Sequence, residues 1–80
     1  MNTKQAVAQR ILELCQEHHL SVNALATMAG IPPSTVYSML NEKSLNPGVV
    51  SIKKLCDALN ITLGKFFSAP VFDELEQEIQ

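Results

Sequence analysis

The chain has no apolar run approaching 18 residues, and its opening MNTKQAVAQR lacks the apolar block of a secretion signal. A cytoplasmic protein with no membrane contact is therefore expected. Cysteine is scarce. Cys15 and Cys56 are too few for a disulfide framework, and they fit reduced thiols buried on helices. With His18 and His19 they show neither CxxC nor HxxxH ligand spacing, so no metal site and no cofactor are expected. Glycine numbers three in 80 residues, with no Gly-rich phosphate loop, and no nucleophile stands at a recognisable spacing from a base. The chain is also too short for a substrate cleft, and an enzyme is not the reading. Positive charge is lacking too: six basic residues face eight acidic ones, a net of −2. Four of those acids, Asp73, Glu74, Glu76 and Glu78, lie in the last eight residues. Residues 1–72 thus hold six basic against four acidic residues, a balance of +2. The acidic tail is separable from the rest.

What is present is apolar material at helical spacing, 46% of the chain, enough for one small helical bundle. Its centre is the stretch Ser21 to Lys43. Val22 to Ala29 is rich in helix formers, with Leu25, Ala26 and Ala29 on one face. Ser21 is placed to cap this helix by accepting from a first-turn amide. Gly30 stops it, because glycine enters the left-handed conformation without a Cβ clash. Ile31 follows as an apolar plug, Pro32 cannot continue the helix, and Pro33 suits the first position of a new one. From there Val36, Met39 and Leu40 share an inner face, and Ser34, Tyr37, Ser38 and Asn41 turn outward. Helix, glycine turn, helix is the helix-turn-helix arrangement.

At these residues the chain resembles the phage repressor and Cro family of helix-turn-helix regulators, also called the XRE family. The likeness lies in Leu25-Ala26, Gly30-Ile31, Ser34-Thr35-Val36, Met39-Leu40-Asn41 and Lys43, and extends through Asn46 to Phe67 as the family's fourth and fifth helices. The resemblance implies an all-α, five-helix lambda-repressor-like domain over residues 1–69, with an acidic amphipathic tail over 70–80. It implies sequence-specific binding of double-stranded DNA by a small transcriptional regulator, a repressor occupying a near-palindromic operator as a homodimer. Carried onto this sequence, the base-reading positions are Pro33, Ser34 and Ser38, flanked by Tyr37. Those near phosphates are Asn41 and Lys43 beyond the third helix; at the start of the second, free amides and the positive dipole end suit an anion, and Ser21 and Asn23 add side-chain donors there. Val22 stands where the family often has Gln, so one phosphate contact is missing. The hydroxyls of Ser34 and Ser38 discriminate bases weakly compared with bidentate Arg, Gln or Asn, which leaves thymine methyl contacts and DNA shape to contribute.

Other readings stay open. Ser34, Tyr37 and Ser38 also fit a plain solvated face, Tyr37 a partial core residue, and Asn41 and Lys43 a solvated loop. The few cations and hydroxyl-only face fit a protein-interaction module of antitoxin or coactivator type, holding a protein partner.

The flanks follow the same logic. A first helix is expected from about Thr3, as its N-cap, to His18 or His19. Val7, Ile11, Leu14 and His18 form its buried stripe, widened by Leu12 and Cys15. Leu20 plugs the connection. After the third helix, Asn46-Pro47-Gly48 marks a turn, and Ser51 is placed to cap a fourth helix burying Ile52, Leu55, Cys56 and Leu59. Asn60 ends it, Thr62 starts a fifth short helix through Phe66 and Phe67, and Ala69-Pro70 ends that. In the tail, Val71, Leu75 and Ile79 share one stripe if it is helical. They either pack on the bundle or join Phe66 and Phe67 in a dimer contact.

Overall fold

A computed structural model of the chain describes residues 1–41 and 46–79. Among them the secondary structure is wholly helical: α1 (Thr3–Glu17), α2 (Val22–Ala29), α3 (Pro33–Leu40), α4 (Val49–Ala58), α5 (Leu63–Phe67) and a short 3-10 helix (Pro70–Glu74).

The cap of α1 is Asn2, not Thr3. Its side chain accepts from the Gln5 amide at 2.8 Å while the Asn2 amide donates to Gln5 Oε1 at 2.9 Å, a reciprocal capping box. Two further expectations for α1 fail. His18 lies one residue beyond the helix, as its C-cap, and is exposed. Leu12 is 51% exposed. At about 100° per residue the buried arc is centred between Val7, Ile11 and Leu14, and Leu12 falls on its far side. Arg10 falls inside the arc and is buried.

Three helices end alike. His19 (φ 55°), Gly30 (φ 70°) and Asn60 (φ 57°) each adopt the left-handed conformation, and the next amide reaches back over the last turn. Leu20 donates to the Cys15 carbonyl at 2.9 Å, Ile31 to that of Ala26 at 3.1 Å, and Ile61 to that of Cys56 at 2.9 Å. This satisfies carbonyls the helix leaves open and turns an apolar side chain onto the bundle. Ile31 is buried there, and Leu20 and Ile61 are half-buried against the core.

The core is made by Val7, Ile11 and Leu14 of α1, Leu25 and Ala26 of α2, Val36 and Met39 of α3, Ile52, Leu55 and Cys56 of α4, and Phe66 of α5. Each large member removed from water contributes roughly 1.5–3 kcal/mol before chain entropy is counted. Gly48, in extended conformation, is the cap of α4, so Ser51 lies inside the helix rather than at its start. Val49 and Val50 become its exposed first turn, at 66% and 69%. Thr62 caps α5 as expected, its hydroxyl accepting from the Lys65 amide at 3.0 Å.

In the tail the helix that the stripe left open does not form. Pro70–Glu74 forms a 3-10 turn and residues 75–79 are not helical, since ten residues are too few to hold an α-helix unaided. Phe72, outside the Val71, Leu75, Ile79 stripe, is its anchor, with ring centroids 5.0 Å from Phe67 and 6.1 Å from Phe66. Ile79 is 87% exposed.

Candidate nucleic-acid interface

The surface of interest is built by α2, the Gly30 turn and α3. Ser21 Oγ accepts from the Ala24 amide at 3.0 Å, fixing the start of α2. Its hydroxyl proton stays available to an outside acceptor. Asn23, exposed in the same first turn, offers its side-chain amide, while its backbone carbonyl accepts from the Thr27 hydroxyl at 3.0 Å. The amide ends of a helix carry partial positive charge and favour an anion there.

The chain leaves α2 through Gly30, and Pro32 is extended (ψ 138°), the conformation its neighbour Pro33 imposes. No side chain caps α3, and Pro33 at its first position needs no amide partner. The inner face is held by buried Val36 and Met39 with half-buried Leu40. That fixes the opposite face. Pro33, Ser34, Tyr37, Ser38 and Asn41 are all exposed, and their spacing places them within one arc of the helix. Tyr37 is 50% exposed and so is not a core residue. The fold thus brings together five of the eight candidate positions on α3 and its end, and sets Ser21 and Asn23 on the preceding helix. Lys43 lies outside the described residues.

The cations are distributed in a way the sequence does not announce. Lys4 Nζ donates to the Asn41 carbonyl, so a residue of α1 stands at the carbonyl end of α3, where the helix dipole favours positive charge. Arg10 is turned inward. Its Nε donates to the Phe66 carbonyl at 2.7 Å, a terminal nitrogen donates to the Lys65 carbonyl at 3.0 Å, and Glu13 pairs with the other. The guanidinium also lies 6.0 Å from the Phe66 ring centre, at the outer reach of cation–π attraction. It closes the last turn of α5 and is removed from any phosphate role. Lys53 pairs with Asp57 one turn on, both exposed, a contact of small weight.

Burial raises the thiols of Cys15 and Cys56 above the ordinary value of 9.0; at Cys56, Asp57 pushes the same way, and Lys53 and Arg10 oppose it. Both are held as neutral core groups. Among the described residues no group of three or more potential metal ligands clusters, and no helix is long and apolar enough to cross a membrane.

Lys4 and Arg10 are the residues that sequence reasoning missed. The one available signal was a charge inside the apolar arc of α1. The Lys4 contact, across 37 positions, leaves no local trace.

Comparison with known proteins supports the reading of the fold. No curated protein matches significantly in sequence. Among solved structures, the crystal structure of the prophage Lp1 protein 11 is similar, with a TM-score of 0.82 and 34% identity over 94% of this chain and 100% of that one. The family model described as the Cro/C1-type HTH DNA-binding domain matches residues 10–70, which include α2, the turn and α3 entire. The chain belongs to the family of Cro/C1-type HTH DNA-binding domains.

Proposed function

We propose that this chain is a small transcriptional regulator that represses by occupying an operator, reading the major groove with α3. The observation that carries this is the outward arc of Pro33, Ser34, Tyr37, Ser38 and Asn41, with α2 and the Gly30 turn fixing how α3 projects. A single helix fits the major groove, where each base pair shows a distinct pattern of donors, acceptors and methyl groups. Ser34 and Ser38 act as donors or acceptors to base edges, and Pro33 and Tyr37 offer apolar contact to thymine methyl groups. Ser21, Asn23, Asn41 and Lys43 position the backbone phosphates. In this reading residues 1–69 are the DNA-binding unit and 70–80 an appended tail.

One helix reads only a few base pairs, so the working unit is a homodimer on a two-fold site, its reading helices about 34 Å apart. Phe66 is excluded from the dimer contact because it is 1% exposed. Phe67, at 40% exposure, and the first turn of α4, Val49 and Val50, supply the apolar surface instead. Lys43 is the one cation among these phosphate contacts, so the log–log salt slope is expected to be shallow, about −1 per subunit.

Selection of bound duplexes from a randomised pool tests the proposal. It is expected to enrich a two-fold symmetric site. Failure to enrich at low salt contradicts it and favours the second reading, in which the same face, with half-exposed Tyr37 and no arginine, holds a protein partner.

A further inference from the structure

DNA reading leaves one feature of the molecule unused, the path of the chain after the 3-10 helix. It runs back across the start of α1, where the Glu78 carboxylate accepts from the Thr3 hydroxyl at 2.8 Å and, more loosely, from the Thr3 amide at 3.4 Å. Glu76 lies 3.9 Å from the α-amine of Met1. Acids at the amino end of a helix are favoured by its free amides and dipole. Glu78 also forms one wall of a cleft of about 530 Å³, faced by Asn46, Pro47 and Val49 on the approach to α4. Lys4 lines the same cleft and donates to the carbonyl of Asn41, a residue assigned above to phosphate contact. One carboxylate, Glu78, therefore shares a cleft with the lysine that reaches the end of the proposed DNA face, while Glu76 stays with Met1 on the side of Glu74. Phe72 keeps the base of the tail on the bundle, while the Thr3–Glu78 anchor is exposed on both sides and trades readily against water.

We infer that the acidic tail is an autoinhibitory strap: docked on α1 through Glu78, it holds negative charge against the edge of the DNA face and swings away when a duplex binds. The inference rests on the DNA-binding reading above. Its location separates it from a general effect of net charge. Glu74 belongs to the same tail but lines a different cleft, with Gln9 and Glu13.

The test titrates a selected duplex with full-length wild type, Glu78→Gln, Glu74→Gln and Thr3→Ala. At low salt Glu78→Gln is expected to tighten binding about threefold, because the strap no longer has to leave Thr3 before a duplex binds. The gain shrinks at higher salt as screening shortens the reach of the Glu78 charge. Thr3→Ala, which alters no charge, gives a smaller gain, and Glu74→Gln gives none. Equal gains from Glu78→Gln and Glu74→Gln, or none from either, would overturn the strap while leaving DNA binding intact. A readout without DNA is the Thr3 amide resonance, expected to shift in Glu78→Gln protein alone; an unmoved signal also overturns the docking. If no variant binds duplex at low salt, the DNA reading falls and the strap with it.

Discussion

The pair α2–α3 and the junction of α1 with α5 are held by different physics. Every joint in the first is local. Ser21 caps Ala24, Ile31 closes on Ala26, and the Thr35 amide donates to the Pro32 carbonyl at 2.9 Å. The second rests on Arg10, whose guanidinium reaches carbonyls 55 and 56 positions away and is buried in doing so. A joint made of neighbours is written in consecutive residue types. A joint made across the chain depends on two segments that meet only after folding, and neither segment announces the other.

Removing Arg10 should produce the largest effect. Arg10→Ala leaves two carbonyls at the end of α5 without their donors and is expected to cost about 2–4 kcal/mol. For a domain of this size that lowers the melting midpoint by more than about 8 °C. Arg10→Lys keeps the charge but not the fork, and should recover only part of the loss. Urea melts followed by circular dichroism measure both. A loss below about 1 kcal/mol for Arg10→Ala would mean that packing alone holds α1 to α5.

The three left-handed helix ends sharpen the comparison at a smaller scale. A Cβ built on Gly30 meets nothing within 4 Å, so Gly30→Ala is charged only with backbone strain, about 1–2 kcal/mol. At His19 the same strain is already present. His19→Gly relieves it but frees the unfolded chain, for a net gain of about 0.5 kcal/mol. Opposite signs in paired denaturant melts are the expected outcome. Equal signs would show that the turn after α2 and the turn after α1 are not the same device.

The smallest effect concerns the thiols. Both are raised by burial, so the folded chain holds these protons more tightly than the unfolded chain does. Their contribution to stability is complete below the ordinary value of 9.0 and is lost as pH rises from there through the raised value of the folded chain. The urea midpoint should therefore fall as pH rises above about 9. A Cys15→Ala/Cys56→Ala protein should fall less steeply; an identical fall would assign the change to other groups.

Much of the fold was legible because its signals are short-range. Gly30-Ile31 and Asn60-Ile61 are a left-handed stop followed by an apolar plug, and His19-Leu20 is the same device with a residue type that seldom signals it. Leu12 and His18 were misread because residue type and spacing were weighed without following the angle around the helix to its end. Gly48 was legible as a turn but not as a cap, since glycine caps without a side-chain bond. In the tail the stripe of Val71, Leu75 and Ile79 has helical spacing but too little length, and the ring of Phe72 decided the packing. For the candidate interface, the outward arc of α3 follows directly from the inward positions of Val36 and Met39. Its electrostatic setting does not, because Lys4 reaches the end of α3 from the first turn of α1, 37 positions away.

The most direct test of the central claim compares wild type with a Ser34→Ala/Ser38→Ala protein on the selected duplex, by anisotropy across a salt series. If α3 reads bases, the double variant binds the selected site about tenfold more weakly, discriminates less against a scrambled duplex, and keeps the wild-type salt slope, since no phosphate contact is lost. Unchanged affinity and discrimination would show that the outward face of α3 is not the reader.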